Sequence, residues 1–321
     1  MHGFFCINKP SGPSSHDVVY QVRRAVGRGV KVGHAGTLDP FASGVLVVSV
    51  GGACRLVDLI VGRPKRYDAV VRLGAVSDTD DRTGVITPQP TAAANPATAL
   101  PTLDDIHRVL PAFVGDIQQV PPRHSAVFVQ GRRAYKIARD GGELNLPARP
   151  VRVDRLEVLA YDWPDLRINV WCGRGTYIRS LARDIGAALG VGGYCLELTR
   201  SAVGEFTLAS AVDATELDPR RDLTHARTAV AHLPAVTLTP DDLPHLMLGR
   251  RVAVTAEQWH GTPPTPANAP TSPAATRDPA TPRDGVAIFS PKGQVLAMGY
   301  LAADGLVQPT KVIVDVKTWC E

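Results

Sequence analysis

With 321 residues, 44% hydrophobic and 21% charged, the chain has the make-up of a globular protein of one large domain or two, long enough to bury a core. A net charge of +4 and a pI near 8.9 permit a polyanionic partner without requiring one. No apolar run approaches the ~20 residues of a membrane span, the N-terminal apolar stretch is too short for a secretory signal, and Cys6, Cys54, Cys172, Cys195 and Cys320 have neither disulfide nor zinc spacing. A cytoplasmic protein with core thiols is expected.

Phe4, Phe5, Cys6 and Ile7 predict a first strand. The turn-rich residues 8–15 then deliver Ser14 or Ser15 as N-cap to a helix whose Val18, Val19, Val22 and Val26 fall near one face, ending at Gly27. Lys9, within that turn, fits either a phosphate contact or a solvated loop charge. Residues 33–46, GHAGTLDPFASGVL, form an unusual loop running into a strand. Pro40 pushes Asp39 toward extended backbone, Gly36 and Gly44 admit turns or close approach, and Ser43–Val50 reads as a buried strand. A stiff carboxylate at the mouth of a core strand suits a nucleophile, although Asp before Pro also suits a plain turn. Asp39 is the catalytic candidate.

A helix is expected over 53–60, followed by an alternating strand over 65–74 that sends Tyr67, Ala69, Val71 and Leu73 to one side. As a lone aromatic on an apolar face, Tyr67 reads by itself as core. Residues 77–84, SDTDDRTG, lack the ligand pattern of a calcium loop and read as an acidic turn. Residues 88–101 look like a surface insertion, and Thr102 with Asp105 forms a capping box before a helix through Ile106, Val109 and Leu110.

From Pro121 the chain turns basic. Arg123, His124, Arg132, Arg133, Lys136, Arg139 and Arg149 face only Asp140 and Glu143, with Phe128 and Tyr135 interleaved, the composition of a loop laid along RNA. Strands are expected over 151–163 and 166–172. Residues 173–179 then turn into a helix in which Ile178, Leu181, Ile185 and Leu189 repeat at helical spacing. Arg179, beside inward-facing Ile178, needs a carboxylate partner, and Asp39 is the candidate. A strand pair follows over 194–206, with Leu196 and Leu198 on one side. Composition changes after Asp222. Residues 261–283, with 7 prolines in 23, read as a disordered loop inside a small β-rich unit built from 246–254 and 286–314.

In order, KPSGPSS, GHAGTLDPFASGVL, KRYDAVVRLG, QVPPRHSA with GRRAYKIARDG, GTYIRSLARDIG and LTRSAVGEF make the chain resemble the tRNA pseudouridine-55 synthases of the TruB family over nearly its whole length. It departs from the common pattern at His124, where tyrosine is frequent, and at Phe128, where lysine is. The resemblance implies an α+β fold, a large mixed, mainly antiparallel sheet with flanking helices over residues 1–228, followed by a small β-rich PUA-like domain over 229–321. It also implies a cofactor-independent and metal-independent isomerase that acts on tRNA as a monomer.

By the same resemblance Asp39 is the essential carboxylate, and attack on C1′, attack on the base and removal of a sugar proton are three roles open to it. Arg179 pairs with it, Tyr67 stacks on the flipped uracil, Leu198 lines the pocket and His34 fills the gap in the RNA stack. Lys9, Tyr177, Arg123, Arg132, Arg133 and Lys136 are implied substrate contacts, the last four within an RNA-clasping loop over 123–149. Two other readings are a guide-RNA-dependent synthase of the dyskerin type and a non-catalytic RNA-binding protein. The complete basic segment favours the stand-alone enzyme over the first, and the joint presence of Asp39, Tyr67 and Arg179 speaks against the second.

Overall fold

In the computed structural model the described residues are 1–89, 100–125, 127–129, 132–134, 137, 142, 145–264 and 285–313. The strand Ser43–Val50, buried along nearly its whole length, is the spine of a ten-stranded sheet. On one side it pairs antiparallel with Gly3–Lys9, in the register Cys6 to Val47, and beyond that lies Thr224–His225. On the other side it meets Gly193–Val203 in a parallel step, Thr199 opposite Ser43. Lys65–Leu73, Asp165–Cys172, Arg149–Asp162 and Gly115–Gln119 continue the sheet, each antiparallel to the last. The expected mainly antiparallel mixed sheet is therefore present.

Strand parity sorts the two faces. Tyr67, Ala69, Val71 and Leu73 join Leu166, Ile168 and Val170 in a core covered by the helices Ser15–Val26 and Ile178–Ala188. Each fully buried Val, Leu or Ile side chain there contributes about 1.5–3 kcal/mol. The first helix is fixed at its start by a capping box between Ser14 and Asp17. The opposite face packs Phe4, Val45, Val47, Leu56 and Ile60 into one cluster with Ala287, Val295 and Met298 of the C-terminal sheet.

That second sheet runs Trp259–His260, Ala235–Thr237, Gly285–Phe289, Val295–Leu301, Val307–Val312. The two units are also tied by an ion pair from Lys311 to Asp58 at 3.0 Å. A helix, Leu243–Met247, lies where the sequence suggests the beginning of a β piece over 246–254. Pro244 occupies its first turn and Leu243 and Leu246 are buried three residues apart, while Val252 alone bridges to Val307.

Two further expectations change in detail. The helix over 53–60 is split at Leu56 into a 3-10 turn, Gly51–Arg55, and a short helix, Val57–Val61, and the chain at Gly52 runs against the Ile313 backbone. A side chain at position 52 would come within 1.9 Å of the Ile313 carbonyl oxygen. In Gly193–Val203 a bulge between Cys195 and Glu197 takes Leu196 out of phase, so Leu198 is buried and Leu196 is only half-buried. The proline-rich stretches over 88–101 and 261–283 fall largely outside the described residues. No helix among the described residues is long and apolar enough to cross a membrane.

Candidate active site

The Asp39 loop is held almost entirely through its own backbone. Ser15 brackets Leu38, its hydroxyl donating to the Leu38 carbonyl at 2.8 Å and accepting from the Leu38 amide at 2.9 Å. Gly12 donates to the Pro40 carbonyl at 2.7 Å and the Ser11 hydroxyl to the Phe41 carbonyl at 2.8 Å. With the peptide groups on both sides of Asp39 already bonded, the carboxylate is presented in one place before any substrate arrives, the condition for preorganised catalysis.

Lys9 belongs to this support rather than to a substrate-facing surface. It is fully buried, and its ammonium donates to the carbonyls of Pro10 at 2.8 Å, Pro13 at 2.9 Å and Pro40 at 3.3 Å. Burial pushes its pKa down to about 8, with Asp39 opposing. The expected substrate contact at Lys9 is thus corrected: its donors are spent on two carbonyls of the turn over 8–15 and on that of Pro40 next to Asp39.

Arg179 enters from the second position of the helix Ile178–Ala188 and is buried. Its Nε is 2.9 Å from Asp39 Oδ2 and its Nη1 is 3.3 Å from Asp81 Oδ2. The same guanidinium donates to the carbonyls of Thr79 and His124, each at 2.9 Å. Asp81 is buried and further held by the Thr79 hydroxyl and the Thr83 amide, both at 2.9 Å. The turn over 77–84 therefore supplies a second carboxylate to the arginine, a role its sequence did not reveal. Asp39 is pushed above the ordinary carboxylate value, by burial first, with Arg179 opposing and Asp81 reinforcing.

Tyr67 and Leu198 are both buried in the core cluster. Tyr67 stands opposite Arg200 and Val170, and Leu198 opposite Ala69, on adjoining strands. Burial raises the Tyr67 phenol, with the Arg200 guanidinium opposing. Arg200 was missed in the sequence. It is 2% exposed, and it donates to the carbonyls of Val45 at 2.8 Å, Gly36 at 3.1 Å and Thr37 at 3.2 Å, clamping the start of the Asp39 loop. Its position in LTRSAVGEF shows only that it lies on a strand, whose parity a bulge then alters.

His34 ends the short strand Val32–His34, half-buried, with its ring edge-on to His16 at 5.6 Å. Burial and His16 hold its pKa below the usual histidine value, so it is neutral at pH 7. Tyr177 caps the Arg179 helix and packs against Val127, Ala134 and Leu146 of the basic segment. Arg123 is exposed. Arg132–Arg133 pairs with Phe128–Val129 as a small hairpin, and Lys136 lies outside the described residues. The structure joins Arg179 to Asp39 in an ion pair, packs Tyr67 and Leu198 into the core cluster that also holds Leu38 of the Asp39 loop, sets His34 against His16, and packs Tyr177 against the basic segment.

In solved structures the chain resembles a Cbf5–Nop10–Gar1 complex, with a TM-score of 0.68 and 25% identity over 98% of this chain and 86% of that one. The fold and site together define an enzyme of the pseudouridine synthase class. The N-terminal domain profile of TruB family pseudouridylate synthases matches residues 23–178. Curated relatives called tRNA pseudouridine synthase B include that of Syntrophomonas wolfei, 36% identical over 97% of this chain and 98% of the relative. Another, from an Arthrobacter species, is 39% identical over 97% and 96%. The chain belongs to the TruB family of pseudouridylate synthases.

Proposed function

We propose that this chain converts uridine to pseudouridine at position 55, in the T loop of tRNA, in the cytoplasm and without a guide RNA. The observation that carries the reading is the Asp39 and Arg179 ion pair on a loop whose neighbouring peptide groups are already bonded. The relatives' shared description as tRNA pseudouridine synthase B supplies the substrate.

In this reading the uridine is flipped from the folded loop, at a cost of a few kcal/mol, and His34 fills the gap it leaves. The uracil lies on Tyr67 and against Leu198. Asp39 is the essential carboxylate, kept in place and charged by Arg179. The bond between N1 and C1′ breaks, the base turns, C5 bonds to C1′, the C5 proton leaves and N1 gains one. Glycosidases need a carboxylic acid to protonate an alcohol leaving group, whereas uracil delocalises the charge it acquires, so a single carboxylate suffices.

Arg123, Arg132, Arg133 and Lys136 hold the RNA backbone from the basic segment over 123–149, with Tyr177 beneath it. Residues 1–228 form the catalytic domain and residues 229–321 a PUA-like domain that meets the acceptor end. The enzyme works as a monomer. Similarity to the Cbf5 complex favours a second reading, a guide-dependent synthase. An unmodified tRNA transcript incubated with the pure protein separates the two: conversion at position 55 without added RNA supports the stand-alone enzyme, and conversion only when a guide is supplied supports the second.

A further inference from the structure

The helix Ser15–Val26 begins at the active site and carries an unusual outer face. Ser15 is bonded to Leu38 of the Asp39 loop, and the ring of His16 meets that of His34 at 5.6 Å. From His16 the exposed residues Tyr20, Arg23 and Arg24 follow at i+4, i+7 and i+8, one stripe opposite the buried Val18, Val19 and Val22. Arg28, just past the helix, is exposed as well. At 1.5 Å per residue, the stretch from His16 to Arg24 covers about 12 Å leading away from the site.

The charges on this stripe are left open. Some surface arginines elsewhere are matched, Arg72 with Asp165, Arg108 with Asp105, Arg152 with Asp116 and Asp154, Arg221 with Asp222, while others, such as Arg167, Arg227 and Arg250, are exposed and among the described residues form no ion pair either. Among the described residues Arg23, Arg24 and Arg28 form no ion pair, and the carboxylate of their own helix, Asp17, is engaged in the cap with Ser14. Two cations in the last turn also complement the helix dipole, but that does not account for a 58% exposed tyrosine in the same stripe. Unpaired arginines with an aromatic between them match an RNA backbone.

We infer that this face, His16, Tyr20, Arg23, Arg24 and Arg28, is a binding track for the RNA duplex that leads away from the flipped uridine, the stem of the T arm. The inference rests on the proposed tRNA substrate. Because the side chains are exposed, they can be reversed without disturbing the core.

The test compares the wild type, a double variant Arg23→Glu with Arg24→Glu, and a control Arg108→Glu, each checked for thermal unfolding, in filter binding to an unmodified tRNA transcript across a salt series. The double variant is expected to bind about tenfold more weakly near 0.1 M salt and to lose about two from the salt slope, one for each phosphate contact. The control is expected to match the wild type. On a T-arm hairpin with a shortened stem, the gap between double variant and wild type closes. Equal affinity and slope for double variant and wild type on full-length tRNA overturns the track alone. A wild type that fails to retain tRNA overturns both the track and the substrate on which it rests.

Discussion

Nε of Arg179 stands 2.9 Å from Oδ2 of Asp39, joining the start of a helix to the loop that carries the carboxylate. The guanidinium is shared, since Nη1 reaches Asp81 at 3.3 Å and donates to the Thr79 carbonyl, and Nη2 donates to the His124 carbonyl. A planar, five-donor group can reach two carboxylates and two carbonyls at once where a compact ammonium cannot. The orientation of Asp39 is thereby linked to the turn over 77–84 and to His124 in the basic segment.

Arg179→Lys keeps the charge and loses the fork. Single-turnover conversion of tRNA is expected to fall about 100-fold, the loss typical of a catalytic group misplaced by about 1 Å. Asp81→Asn, which frees one side of the arginine, is expected to fall in the same direction by a smaller factor. Wild-type rates in both variants would show that the shared guanidinium does not orient Asp39.

The raised pKa of Asp39 gives an acid limb with a definite sign. Activity that needs the carboxylate is lost as pH falls through a value above the usual ~4. Asp81 raises that value, so Asp81→Asn should move the limb to lower pH. For stability the sign is reversed: the folded state binds this proton more tightly than the unfolded chain, so the group favours the fold at low pH and that contribution shrinks as pH rises. Rate profiles of wild type and Asp81→Asn measured between pH 4 and 8 would read the shift directly; a limb that moves upward contradicts the assignment.

Arg200→Ala should unlock the loop. It strands the carbonyls of Gly36, Thr37 and Val45, and a buried polar group without a partner costs about 1–3 kcal/mol. Partial relief by water leaves an expected loss of about 3 kcal/mol, seen as a Tm lower by about 6–12 °C. Arg200→Lys should recover part of it. An unchanged Tm in Arg200→Ala would mean that the loop does not depend on this clamp.

Gly44→Ala should be poorly tolerated at the same junction. Its φ is +106°, and an added Cβ would lie 2.3 Å from the Arg200 carbonyl oxygen. A loss of at least ~2 kcal/mol is expected from the conformation and the clash together, measured by chemical denaturation. Gly12, also at positive φ but with open space around it, is the comparison, and Gly12→Ala should lose less.

What the sequence disclosed was what short stretches encode. The Ser14 cap and valine spacing marked the helix Ser15–Val26, the unbroken apolar run marked Ser43–Val50, and alternation sent Tyr67 inward. Arg179 was legible as a partner for Asp39 because a charge at an inward helical boundary has to be neutralised. Asp81 was not, because an acidic turn looks the same whether its carboxylate faces water or an arginine far along the chain. Arg200 reaches a carbonyl 155 residues away, and Lys9 spends its donors on carbonyls that no pattern identifies in advance. The helix Leu243–Met247 was hidden for another reason, since five residues are too few for periodicity to separate helix from strand.

The most direct measurement is pseudouridine formation in an unmodified tRNA transcript with wild type and Asp39→Asn side by side, with tRNA binding measured on the same preparations. The account predicts conversion by the wild type, none by Asp39→Asn, and nearly equal binding by both. Conversion by Asp39→Asn at the wild-type rate, or a wild type that binds tRNA and leaves position 55 as uridine, would contradict it.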